Sequence, residues 1–225
     1  MVVAGSDPTD AALLARTRNG DAAAFWELMG RYDQRLFRIA RSILQDEHEA
    51  EDTVQETYIL ALSSIEHFRA EAGISTWLAR IAINESLGRL RRRRPMMSLD
   101  DAGDQGPPLQ LPPAMLPDAI AARAELRALT EAAIDRLPLS LRTVFVLRAI
   151  EQMSIAETSA ALEIPPQTVK TRFYRARRTL RRMLAIDLGA VFNDVFPFAG
   201  GRCEELRRRV LARFGLAPPE QVKTC

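Results

Sequence analysis

The sequence predicts an all-α protein: two small helical domains joined by a flexible linker, with a C-terminal extension. Three observations predict it. Apolar residues make up 47% of the chain against only 11 glycines in 225 residues, and alternating β-branched runs are absent. Apolar positions recur at helical spacing on both sides of the chain's centre. A proline-rich stretch, Pro95 to Pro117, separates these halves; it carries Pro107-Pro108, Pro112-Pro113, Asp100, Asp101 and Asp104, which suit an extended, solvated connector.

The first domain is expected over residues 10–94 and is helical throughout. Asp21 reads as the cap of a helix with Phe25, Leu28, Met29, Tyr32, Leu36, Ile39, Ala40 and Ile43 in the core and Trp26 covering its edge. Asp46 with Glu49 marks the next helix start. In that helix Ala50, Val54, Thr57, Tyr58, Ala61 and Ile65 share one side, and Asp52, Gln55, Glu56 and Ile59 the other. An apolar residue within an acidic face suits a partner surface, and a plain solvated face is an equal reading. His48 and His67 read as surface residues.

A third helix, Ser75 to Arg94, is apolar almost all round and reads as largely buried. Its polar line is Arg80, Asn84 and Arg91, and four arginines end it. Phe68 and Arg69 lie in the loop before it, and Trp77 near its start reads first as core. A polar line running into an arginine cluster beside an aromatic loop fits contact with a nucleic-acid backbone or single strand.

The second domain is expected over residues 118–184. Asp118 to Asp135 and Ser140 to Ile150 read as two helices. Ser154 with Glu157 is a capping box that opens a third helix, which Pro165 and Pro166 end. Pro166 also fits the first turn of the fourth helix. There Val169, Phe173, Ala176 and Leu180 form an apolar stripe; Lys170, Thr171, Arg172, Tyr174, Arg175, Arg177 and Arg178 cover the remainder. No acid occurs between Pro165 and Leu184. This is the pattern of a DNA-binding helix-turn-helix, with the basic residues mostly on phosphates and some near the helix start reaching bases.

Charge and composition exclude other classes. The 31 basic and 29 acidic residues nearly cancel, so distribution rather than net charge carries the signal. No apolar run is long enough for a membrane span, and the N-terminal segment lacks the pattern of a signal peptide, so a cytoplasmic protein is expected. Cys203 and Cys225 have no metal-ligand spacing, so neither a metal site nor any other cofactor is expected. No Ser/His/Asp set or glycine-rich phosphate loop suggests an enzyme.

The acidic helix with DTVQET, the following STWLARIAIN and the C-terminal TVKTRFYRARRTLRR together resemble the sigma-70 family of bacterial transcription initiation factors, in its small extracytoplasmic-function group. The resemblance spans Asp10 to Leu184. It implies a region 2 bundle and a region 4 helix-turn-helix domain, in a factor that binds core RNA polymerase and directs promoter-specific initiation. It implies that Asp52, Gln55, Glu56 and Ile59 dock on the β′ clamp helices, with the β flap a further polymerase contact. Phe68, Arg69, Trp77, Arg80, Asn84, Arg91 and Arg92 match the part that reads and opens the −10 element, Arg80 and Asn84 best matching capture of a flipped base. Thr168, Lys170, Thr171, Arg172, Tyr174, Arg175 and Arg178 match the −35 recognition helix. The linker matches the region 3.2 connector. An anti-sigma factor is a further partner the resemblance allows.

Residues 185–225 lie beyond the resemblance. Gly200-Gly201 read as a turn, and Glu204 to Phe214 as a short helix with Leu206, Val210 and Leu211 on one face. It is expected to dock on either domain as a regulatory element or to be a passive cap, and Cys203 is a candidate redox switch. A dimeric helix-turn-helix regulator that ignores polymerase is the competing reading; it leaves the Asp52 face and the arginine-rich first domain without a role. A nuclease would need clustered carboxylates, which the sequence lacks.

Overall fold

The computed structural model describes residues 9–68, 73–93, 119–184 and 195–219. The expected linker, Arg69 and Cys225 lie outside the described residues. Every regular element described is helical. The helices are α1 (Asp10–Arg18), α2 (Ala22–Leu44), α3 (Glu47–Ser64), α4 (Ile74–Arg93), α5 (Ala119–Asp135), α6 (Leu139–Phe145), α7 (Ile155–Leu162), α8 (Pro166–Leu184) and α9 (Gly201–Arg213).

The helix starts follow local chemistry. Asp21 Oδ1 accepts from the Ala23 and Ala24 amides at 2.9 and 3.1 Å, and Asp46 accepts from Glu49 at 2.9 Å. Both carboxyls are held below their ordinary pKa, foremost by these backbone bonds. The Ser154–Glu157 box is complete, with bonds of 2.7 and 3.1 Å. Each such cap contributes about 1 kcal/mol.

α2 is the spine of the molecule. α1, α3 and α4 pack around it, burying Phe25, Leu28, Met29, Leu36, Phe37, Ile39 and Ile43 with Val54, Tyr58, Leu78 and Ile83. Phe25 and Tyr58 meet edge to face at 6.1 Å. Trp26 lies deeper than an edge position, only 5% exposed, because the Arg207 guanidinium from α9 covers its ring at 5.2 Å.

The second group is α5 to α8. The expected Ser140–Ile150 helix is α6 followed by a π-helical turn over Val146–Ile150, so the element changes hydrogen-bond register midway. α6 and α7 pack on α8, and Val169, Ala176 and Leu180 are buried while Phe173 is half-buried. Phe173 is flanked by the Arg148 and Arg177 guanidiniums at 5.6 and 5.8 Å.

The two groups close on each other through arginines that α2 spaces three residues apart. Arg35 and Arg38 reach the Glu151 carboxylate at 3.1 and 3.3 Å, and Arg41 grips Asp135 with two bonds of 3.0 and 2.8 Å. In return Arg142 donates to the Ser42 carbonyl at the end of α2 and to the Asp135 and Leu137 carbonyls at 2.8 and 2.9 Å. Burial pushes the Arg142 guanidinium down to about 10, still charged at neutral pH, and it supplies positive charge to helix C-terminal carbonyls.

The segment after residue 194 returns to the first group. Phe198 stacks on Phe37 at 4.5 Å, and α9 packs against α2 and α3. Both expected docking sites are used: α9 packs on the first domain, and the Phe196 amide before it donates to Glu131 of α5 at 2.7 Å.

Candidate nucleic-acid interface

Three surfaces hold the residues singled out above. The first is the outer side of α3. Asp52 has an exposed carboxylate, 3.9 Å from the Arg89 guanidinium, while Gln55, Glu56 and Ile59 are half-buried. Arg89 also pairs with Glu49 and Glu85 at 3.3 and 3.1 Å, so it bridges α3 and α4.

The second surface is α4 with the loop before it. Arg80, Asn84, Arg91 and Arg92 all lie exposed, as the polar line predicts. Arg92 pairs with Glu85 at 3.2 Å, and Arg91 donates to the Leu87 carbonyl at 3.3 Å. Phe68 and Trp77 are half-buried, and their rings meet at a 42° tilt with centroids 4.9 Å apart. Their rings pack on each other and on the core, so they form one aromatic step at the start of α4.

The entry to that loop is fixed by Arg18 of α1, which sequence reasoning missed. Its guanidinium donates to the Ile65 carbonyl at 3.2 Å and to the Phe68 carbonyl at 2.6 Å. Arg18 looks like an ordinary C-terminal helix charge, so only a contact across some fifty residues reveals this role.

The third surface is α8. Lys170, Thr171, Tyr174, Arg175 and Arg178 are exposed, and Thr168 and Arg172 are half-buried. Tyr174 is 67% exposed, a large aromatic in solvent without a packing role. Thr171 spends its hydroxyl on the Gln167 carbonyl at 3.0 Å. A groove of about 570 Å3 runs along this helix, with Lys170, Tyr174, Arg178 and the unanticipated Arg148 and Arg181 around an apolar base of Val169 and Phe173. A row of cations over a shallow apolar base can hold a polyanion by charge and a base or sugar by contact.

The second surface adjoins the helix that precedes the third. α4 packs against α7, and Arg80 forms an ion pair with Glu163, the residue that ends α7. Glu163 is left-handed, with φ +54°, a position that favours glycine. Its carboxylate instead reaches Arg80. The expected base-reading arginine is thus engaged by the neighbouring helix-turn-helix unit.

Among the described residues, no group of three or more His, Cys, Asp or Glu is placed to hold a metal ion, and no helix is long and apolar enough to cross a membrane. Cys203 is buried and its thiol donates to the Phe198 carbonyl at 3.3 Å. That burial closes it to solvent oxidants in this arrangement.

Comparison with known proteins bears on these surfaces. Residues 28–95 match the family model for sigma-70 region 2, and residues 127–180 match that for sigma-70 region 4. The chain is 35% identical over 76% of its length to the ECF RNA polymerase sigma factor SigW of Bacillus subtilis, covering 94% of that protein. It is 32% identical over 78% of its length to the RNA polymerase sigma-H factor of Pseudomonas aeruginosa, covering 93% of it. Among solved structures, CnrH in complex with the cytosolic domain of CnrY aligns with a TM-score of 0.58 and 30% identity, over 79% of this chain and 98% of that one.

Proposed function

The chain belongs to the extracytoplasmic-function group of the sigma-70 family, and on that premise we propose that it binds core RNA polymerase and directs initiation at promoters with paired −35 and −10 elements. Sigma factors are non-enzymatic initiation factors, and this one works by binding. The observation that carries the reading is the pairing of a region 2 match and a region 4 match, in that order, each bearing an exposed polar or basic helix face. The competing reading, a dimeric regulator indifferent to polymerase, has no use for the α3 and α4 surfaces.

The division of labour follows the chemistry of the faces. Asp52, Gln55, Glu56 and Ile59 on α3 present carboxylates around an apolar residue, suited to a basic helical partner; the β′ clamp helices of polymerase are that partner. On α4, Arg80 and Asn84 supply donors for a base drawn out of the duplex, and Arg91 and Arg92 supply charge for its backbone. Trapping an unstacked base offsets the few kcal/mol of unstacking. On α8, Lys170 and Arg175 reach the −35 element from the N-terminal half of the helix, the part of a recognition helix that meets base edges. Each reader alone is weak. Polymerase fixes both at a set distance, and simultaneous engagement raises the effective concentration of the second.

Promoter contact requires Arg80 to leave Glu163, so the closed arrangement is the form before polymerase and DNA separate the two groups. CnrH was solved with a second protein, the cytosolic domain of CnrY; this supports a further protein partner, and an anti-sigma factor fits that place. The test is reconstitution. Core polymerase with this protein should initiate at discrete starts, and failure to associate with core would sink the reading.

A further inference from the structure

We propose that α9 is a wall of the polymerase-docking surface, and that the groove between α3 and α9 receives the same polymerase segment as Asp52. This rests on the reading of α3 as the docking helix and adds residues from outside the matched family regions.

Three observations carry it. First, α9 is built into the first domain. Cys203, Leu206, Val210 and Leu211 are buried, and Arg207 pairs with Asp33 at 2.5 Å with both side chains almost wholly enclosed. Tyr58 donates to the other Asp33 oxygen at 2.9 Å. Lifting α9 away would break a buried ion pair and leave Asp33 without its cation, so α9 stays when a partner docks.

Second, α9 lies alongside the α3 face. Its Arg202 pairs with Glu47 at 3.2 Å and with Glu51. Arg202 thus offsets Glu47 and Glu51, Arg89 and Arg93 hold Glu49, and the exposed Asp52 stays open to a partner beside its 3.9 Å approach to Arg89.

Third, the two helices enclose a groove of about 270 Å3, with Asp52 and Gln55 on one wall, Glu205 and Arg209 on the other, and Leu206 between. Arg209 is 62% exposed and pairs with Glu205 at 2.9 Å. The groove is therefore acidic on the α3 side and carries an exposed cation at the α9 rim. Its complement is a helical segment of core polymerase with a basic group facing Asp52 and an acid or carbonyl facing Arg209.

The experiment is a binding titration of the full-length chain against core polymerase, with Arg209→Glu, Glu205→Lys and Asp52→Lys. Exposed ion pairs contribute little to stability, so the α9 variants should fold as the parent does. The expected result is a loss of about tenfold or more in holoenzyme affinity for Arg209→Glu, a loss for Asp52→Lys, and unchanged −35 duplex binding by the isolated chain. If Asp52→Lys weakens assembly and neither α9 variant does, α9 is outside the interface and this proposal falls while the docking reading stands. Tighter binding by the α9 variants would make α9 an obstruction and also overturn it. If none of the three changes affinity, the docking reading falls and takes the proposal with it.

Discussion

Arg80 on α4 and Glu163 at the end of α7 form an ion pair that joins a candidate −10 reader to the helix-turn-helix unit that carries the −35 reader. Both side chains are more than half exposed, at 53% and 60%. The pair itself adds no more than about 1 kcal/mol. It marks closure without holding it.

Closure is held by the buried contacts of α2, among them Glu151, whose side chain is 6% exposed and takes bonds from both Arg35 and Arg38. Glu151→Ala should destabilise the closed form by about 2 kcal/mol or more, since bonds to charged groups contribute most. Spin labels on α4 and α8 should report a longer mean distance in this variant, with Glu163→Ala changing it little. Identical distances in the parent and Glu151→Ala would show that closure rests elsewhere.

The Arg207–Asp33 pair gives a stability prediction. Arg207→Met removes one partner of a buried pair and should cost about 3–5 kcal/mol in urea unfolding. The double variant Asp33→Asn with Arg207→Met should cost less than the sum of the two single changes, because neither strands a full charge. Additive losses would mean the two residues act independently.

Asp33 also sets a pH dependence. Burial raises its pKa to about 6, outweighing the pull of Arg207 and the Tyr58 hydroxyl. A carboxyl raised in the folded state binds more protons there than when unfolded, so its contribution is fully present below about pH 4 and is lost as pH rises through about 6. Stability measured from pH 4 to 6 should carry a falling component that Asp33→Asn lacks. Equal slopes in the two proteins would contradict the assignment.

On α8, Lys170→Ala and Arg175→Ala should each weaken −35 duplex binding, by about 1–3 kcal/mol for a base contact. A residue that touches only phosphate should instead lower the salt dependence by about one counterion, evenly across sequences. Titrations at several salt concentrations on promoter and scrambled duplexes separate these. No change in either would remove the residue from the interface.

Local signals carried most of the fold into the sequence. Asp21, Asp46 and the Ser154–Glu157 box each act within one helical turn, so their positions are readable as they stand. The buried stripe of α3 and the exposed line Arg80, Asn84, Arg91 follow from period alone. The long-range polar pairs do not. Arg35, Arg38 and Arg41 look like solvated charges on α2, and their spacing of three is the one hint that they share a face. Arg207 gives less: it sits in the run Arg207-Arg208-Arg209 as one surface cation among three, and its partner Asp33 lies 174 positions away. Periodicity places a residue on a face but says nothing about which distant helix covers it. Of the site, the residue types and exposed faces were legible, while Arg18's hold on the Phe68 loop and the joining of α4 to α7 were not.

The most direct measurement is transcription start mapping with core polymerase and the full-length chain, beside the Asp52→Lys variant. Discrete starts that share two upstream elements at fixed spacing are expected, and their loss when Asp52 is reversed. Starts that appear equally with core polymerase alone, or no initiation despite promoter-length DNA and active core, would contradict it.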